Sequence, residues 1–117
     1  MFEYIAKVTN VVDGDTIDVA IDLGFSLVFN DRVRLAGINS YEIKLGKDTT
    51  QEQKTLGIEA KSFLSDLLLG NKVRLVTVKD REKYGRYLAN VYVTQESVEV
   101  LVNDLMIQKG YAIKYMC

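Results

Sequence analysis

The clearest hydrophobic pattern lies at Thr16–Asp22, where Ile17, Val19 and Ile21 alternate with Asp18, Ala20 and Asp22. A period of two predicts a strand with one face in a core and the other toward water. Upstream, Tyr4–Val12 is rich in Val, Ile and Thr and predicts a first strand, with Asp13-Gly14-Asp15 as the turn between the two. Asp31–Gly37 predicts a third strand. Val33 and Leu35 point inward, so Arg32, Arg34 and Ala36 fall on the opposite face, where the charges are expected to be exposed to solvent.

The period then changes. Asn39 to about Gln53, NSYEIKLGKDTTQEQ, predicts a long polar loop, and its part from about Ile43 to Gln53 shows no apolar repeat and predicts little helix. Leu56, Ala60, Phe63, Leu64, Leu67 and Leu68 fall at i, i+4, i+7, i+8, i+11 and i+12, the single stripe of an amphipathic helix, and Gly70 is placed to end it. Lys72–Val78 and Tyr87–Thr94 predict two more strands around the loop KDREKYGR. A short helix is expected from about Val102 to Lys109, with Val102, Leu105 and Met106 on one side and Gly110 as its cap. The resulting order, β-β-β-α-β-β-α, is that of the OB fold: a mainly β (α+β) architecture in which a five-stranded Greek-key barrel carries one helix between strands three and four and, here, a short C-terminal helix. That barrel commonly binds oligonucleotides, but a fold alone does not give a function.

Composition narrows the chemistry. A chain of 117 residues without a compositional break is expected to form one domain, 1–117. It contains no His, which excludes imidazole bases, His metal ligands and Ser-His-Asp machinery. Its one Cys is Cys117, so an internal disulfide and a Cys-rich metal site are excluded as well. Catalysis would have to come from carboxylates, Arg, Lys, Tyr, Ser, Thr and a metal ion. A net charge of −1 and a pI near 5.4 exclude a strongly basic nucleic-acid coat. The charges are nevertheless polarised. Met1–Asp31 holds Glu3, Asp13, Asp15, Asp18, Asp22 and Asp31 against Lys7, whereas Lys79, Arg81, Lys83 and Arg86 face Asp80 and Glu82 in a basic loop. No signal-peptide-like or membrane-spanning run is visible, so a cytoplasmic location and no membrane partner are expected.

Three clusters carry candidate chemistry. Val12-Asp13-Gly14-Asp15-Thr16 presents two carboxylates around a glycine, a turn that can offer oxygens to a hard cation or can simply close a hairpin. In Arg34-Leu35-Ala36-Gly37-Ile38-Asn39-Ser40-Tyr41-Glu42 an arginine leaves a strand and oxygen-bearing side chains follow it. Lys83-Tyr84-Gly85-Arg86 brings a guanidinium suited to phosphate and an aromatic ring suited to a base. Each piece alone also reads as ordinary turn or surface residues.

Together, in this order and spacing, the pieces VVDGDT (11–16), RVRLAGINSYE (32–42), GIEAKSFLSDLLLG (57–70), VRL (73–75), KYGRYLANVYV (83–93) and VNDLMIQKGYA (102–112) resemble the staphylococcal nuclease family over nearly the whole chain. The resemblance implies a calcium-dependent nuclease acting on DNA or RNA. It places Asp15, Asn39 and Ser40 at the metal, Arg34, Glu42 and Arg86 at the catalytic positions, and Lys83, Tyr84 and Tyr115 at the nucleotide. Two guanidiniums and a divalent cation can stabilise the charge that builds on phosphoryl oxygens, and a carboxylate can activate water, so no His is required. The chain departs from the family pattern at Asn39, where the family has Asp, at Tyr41, where it usually has Pro, and in lacking a third helix after the tail. Asn39 keeps an oxygen ligand but removes a charge. The alternative reading is therefore a catalytically weak or inactive module of the same fold that binds nucleic acid or a protein partner.

Overall fold

The computed structural model describes residues 3–40, 51–79 and 87–114. Strands β1 (Glu3–Asp13), β2 (Thr16–Asp22) and β3 (Val28–Leu35) form an antiparallel meander. A short strand β4 (Ile38–Ser40) follows, then helix α1 (Gln51–Leu68), β5 (Lys72–Lys79), β6 (Tyr87–Gln95), β7 (Val98–Leu101), helix α2 (Val102–Gln108) and β8 (Ala112–Lys114). The main sheet runs β3-β2-β1-β5-β6-β7, and a further pairing of β3 with β6 closes five of these strands into a barrel. The closure is parallel and short: Val33 lies opposite Tyr87, Arg34 opposite Leu88 and Leu35 opposite Ala89. This is the expected OB-type barrel, mainly β with two helices.

The alternation in β2 survives folding without change. Ile17, Val19 and Ile21 are buried, and they meet Ala6, Val8 and Val11 of β1, Val33 and Leu35 of β3, and Leu75 and Val91 of the returning strands in one core. β1 is long enough to serve both β2 and β5 because its register shifts between Val8 and Asn10 and again between Val11 and Asp13, and such bulges bend a strand around a barrel. Helix α1 caps the barrel end with the predicted stripe: Ala60, Leu64 and Leu68 are wholly buried. Its C-terminus stops at Gly70, whose φ of +79° suits glycine, and the Gly70 N–H donates to the Val8 carbonyl at 2.9 Å, tying the helix end to β1. No described helix is long and apolar enough to cross a membrane.

Several expectations need correction. β3 starts at Val28, three residues earlier than the alternation indicated, because its partner in β2 continues to Asp22. Asn39 and Ser40 are not loop: with Ile38 they form β4, which pairs antiparallel with β8 so that Ile38 faces Lys114, Asn39 faces Ile113 and Ser40 faces Ala112. α1 begins at Gln51, inside the segment expected to be irregular, and the rest of that segment from 41 to 50 lies outside the described residues. In α2 the buried face is Val102, Asn103 and Met106, with Leu105 only half-buried, so an amide takes the place assigned to a leucine.

The outer surface carries a second organised cluster. Arg74 of β5 donates to Glu3 of β1 at 2.6 Å and, with both arms of its fork, to Glu99 of β7 at 2.9 and 2.6 Å, while its guanidinium lies 4.3 Å over the Tyr92 ring. It ties β5 to β1, β6 and β7.

Candidate active site

The site is built where the β1–β2 turn meets the end of β3. Asp13 pairs with Thr16, leaving Gly14 and Asp15 as the two turn residues. Gly14 is needed here for space. A Cβ at this position would sit 2.8 Å from the Cβ of Ala60 on α1 and 2.9 Å from the Cβ of Ser40 on β4, closer than real side chains approach. The missing side chain lets the turn press between helix and strand, which brings Asp15 beside β4.

Asp15 is 7% exposed. Its Oδ1 accepts from the Thr16 hydroxyl at 2.9 Å, and its Oδ2 accepts from the Ser40 backbone N–H at 3.1 Å. Its backbone carbonyl accepts from the Leu35 N–H at 2.8 Å, locking the turn to the end of β3. One residue before that lock stands Arg34. Its Nη2 lies 3.5 Å from Asp15 Oδ2 and donates to the Ile38 carbonyl at 3.2 Å and to Asn39 Oδ1 at 3.1 Å. A single guanidinium thus joins the β1–β2 turn to β4.

The expectation of an exposed Arg34 is overturned. Its side chain is 8% exposed and that of Asp15 10%, because β4 folds back over the end of β3 and covers them. The neighbouring Arg32 behaves as expected of a surface charge: it bonds Asp18 at 2.8 Å with its side chain 51% exposed. The Arg32 guanidinium holds the Asp18 carboxyl below its usual range.

Four of the nine residues singled out in the sequence are therefore placed, and the fold brings all four together: Asp15, Arg34, Asn39 and Ser40. Glu42, Lys83, Tyr84, Arg86 and Tyr115 lie outside the described residues. The oxygens gathered here come from a carboxylate, an amide, hydroxyls and backbone carbonyls, with neither nitrogen nor sulfur ligands. That set fits a hard cation in kind. Its formal charge is low: among the described residues no group of three or more His, Cys, Asp and Glu comes together. The Asn39 oxygen, moreover, is already engaged by Arg34.

A profile described as staphylococcal nuclease homologue matches residues 32–117, most of the chain, from Arg32 onward. The chain belongs to the staphylococcal nuclease family. Among curated relatives of this family member, the micrococcal nuclease of Shigella flexneri is 30% identical, over 97% of this chain and 59% of its own length. Protein ParB of Escherichia coli is 32% identical, over 93% and 56%. An uncharacterized protein of Methanocaldococcus jannaschii is 30% identical, over 97% and 60%. The chain thus spans about three fifths of the length of these relatives.

Two further buried polar residues, outside the set expected from the sequence, support this arrangement. The alternation makes Thr16 a strand residue, yet it is 2% exposed and its hydroxyl donates to Asp15. The apolar stripe of α2 gives Asn103 no role, yet it is 3% exposed and bonds backbone on both β6 and the β3–β4 turn. The signal for Asn103 was available: with Val102 and Met106 it falls on one face of a seven-residue helix, and an amide on an apolar stripe calls for partners.

Proposed function

We propose that this chain is a calcium-dependent nuclease that hydrolyses phosphodiester bonds of DNA or RNA. The observation that carries the reading is the buried Arg34–Asp15 pair, held by the β1–β2 turn against Asn39 and Ser40. Burying two charges is expensive, and apolar residues would fill the same space with equal or greater stability. A paired arginine and aspartate with further oxygens at the rim of an oligonucleotide-type barrel are accounted for by a charged substrate.

Asp15, Asn39 and Ser40 would hold the calcium ion, which when bound supplies positive charge beside the phosphate oxygens. Arg34 presents a planar fork whose N–H groups can follow a phosphoryl oxygen as its charge grows, and its anchorage to the Ile38 carbonyl limits the reorganisation this requires. Thr16 and the Ser40 N–H hold both oxygens of Asp15 and so fix the direction of its carboxylate. By the family resemblance, Arg86 brings the second guanidinium, Glu42 takes a proton from the attacking water, and Lys83, Tyr84 and Tyr115 hold the nucleotide. The named micrococcal nuclease among the relatives supports the same substrate class.

One observation favours a second reading. Asn39 stands where the family has Asp, and its oxygen accepts from Arg34. That pair is satisfied without a cation, as it would be in a domain that binds nucleic acid and no longer cleaves it.

The test is degradation of end-labelled DNA and RNA oligonucleotides with calcium or with a chelator. Cleavage is expected with calcium and not with chelator, and zinc should substitute poorly. Full activity in excess chelator overturns the metal dependence. Binding of oligonucleotide without cleavage at any calcium concentration establishes the second reading.

A further inference from the structure

Asn103 sits in the first turn of α2, and none of its atoms enters the chemistry proposed above. Its Oδ1 accepts from the Val91 N–H at 2.9 Å, and its Nδ2 donates to the carbonyls of Ala36 at 2.8 Å and Ala89 at 3.2 Å. Ala36 is bound a second time, its own N–H donating to the Ala89 carbonyl at 2.9 Å. Both backbone groups of Ala36 are therefore fixed to β6 or to α2.

Ala36 opens the turn that separates Arg34 from Asn39. The chain reverses there through Gly37, whose φ is +77°, and it must reverse so that Arg34 Nη2 reaches both the Ile38 carbonyl and Asn39 Oδ1. A displaced turn would carry β4 with it, and Ser40 on β4 is the residue whose N–H holds Asp15. Packing alone does not explain the choice of residue. The other buried positions of α2 are Val102 and Met106, and a buried amide is favourable only when its oxygen and nitrogen both find partners. Asparagine matches an N–H on one side and carbonyls on the other, which neither a leucine nor a carboxylate does.

We infer that Asn103 is a positioning residue: through the Ala36 carbonyl it sets the β3–β4 turn, and with it the placement of Arg34 against Asp15 and Asn39. The inference rests on the nuclease reading for its kinetic consequence only.

The test compares Asn103→Asp with Val102→Ala. Asn103→Asp keeps the shape and the acceptor for Val91 but turns an oxygen toward two carbonyls. Val102→Ala removes buried methyl groups from the same helical turn and no hydrogen bond. Asn103→Ser is the second variant should the aspartate not fold. Amide hydrogen exchange is measured at Ala36 and Ser40, and nuclease kinetics are measured well below the melting temperature. The Asn103 variants are expected to speed exchange at both amides roughly tenfold beyond what their loss of global stability explains. They should also lower kcat roughly a hundredfold with KM little changed, as expected when reacting groups shift by an ångström or less. Val102→Ala should do neither. Exchange at Ala36 and Ser40 that merely follows global stability in all variants overturns the inference, as does a kcat loss no larger than that of Val102→Ala. If the unmodified protein cleaves nothing, the nuclease reading falls, while the exchange comparison still decides the role of Asn103.

Discussion

Arg32 and Arg34 leave the same face of β3 two residues apart, and each meets an aspartate from the adjoining ribbon. Arg32 holds Asp18 at 2.8 Å, and Arg34 lies 3.5 Å from Asp15. By chemistry and spacing they are equivalent. By surroundings they are not: Arg32 is 51% exposed, whereas Arg34 is 8% exposed beneath the returning β4. The tighter contact is the less consequential one. Water already solvates Arg32 and Asp18, so their pairing adds little. Arg34 and Asp15 have lost that solvation and depend on each other and on Thr16, Ile38, Asn39 and Ser40. Location in the barrel, rather than the ion pair itself, separates a surface charge from a candidate catalytic one.

Removing one partner of the buried pair should have the largest effect. Arg34→Met leaves the Asp15 carboxylate buried beside an apolar side chain, and a loss of about 3–5 kcal/mol is expected in urea unfolding. Adding Asp15→Asn should recover part of that loss, because no charge then remains unpaired. A loss below 1 kcal/mol for Arg34→Met would show that water reaches the site and that the two arginines are alike after all. Arg34→Lys should be milder in stability but should lower turnover roughly a hundredfold or more, since an ammonium cannot reproduce the fork.

Next in size is Gly14→Ala, which tests whether the turn must press against α1 and β4. The added methyl would meet Ala60 and Ser40 at 2.8 and 2.9 Å. Overpacking of this kind costs about 1–3 kcal/mol, and nuclease rate should fall with it as Asp15 moves. An unchanged melting temperature and rate would mean the turn has room to shift.

Asn39→Asp adds a charge beside the buried pair instead of removing one. The new carboxylate lies close to Asp15 but also 3.1 Å from the Arg34 nitrogen now bonded to Asn39. In chelator the repulsion and the attraction should nearly offset, leaving stability within about 1 kcal/mol of the parent. In calcium the added charge should tighten binding and move rate saturation to lower calcium. Calcium titrations of melting temperature and of rate in both forms measure this. No tighter response would place the cation away from residue 39.

The smallest effect belongs to the exposed pair. Arg32→Ala should cost roughly 0.2–1 kcal/mol near neutral pH and less in high salt. The sign with pH follows from Asp18, whose carboxyl Arg32 holds below its ordinary value of 3.8. Its contribution is present above that value and is lost as pH falls through the lowered one, so parent and variant should converge in acid. A gap that persists undiminished at low pH would assign the difference to packing of the Arg32 stem.

Much of this molecule was legible from residue order. Ile17, Val19 and Ile21 were expected inside and are buried; Ala60, Leu64 and Leu68 were expected on the helix stripe and are buried; Gly70 and Gly110 were expected as caps and have positive φ. Asp15, Arg34, Asn39 and Ser40 were singled out together and meet in space. Three of the differences have a common form. The local pattern puts Arg34 in solvent and Asn39–Ser40 in a loop, and it gives Asn103 no role. Each error concerns a residue whose environment is supplied by chain far away in sequence.

Neighbours along the chain decide the period of two in β2, the period near 3.6 in α1, and the glycines where φ must be positive. These depend on sterics and on the burial of one face, and both are written within a few residues. The tertiary structure alone decided which polar residues would be enclosed. β4 exists because Ile38–Ser40 meets Ala112–Lys114, and the barrel closes because Val33–Leu35 meets Tyr87–Ala89. Asn103 reaches Ala36 across a separation of 67 residues. Such contacts form only after long loops have closed, and their stability comes from many segments at once. Burial of the Arg34–Asp15 pair is a property of that closure, and so it is absent from any local pattern around either residue.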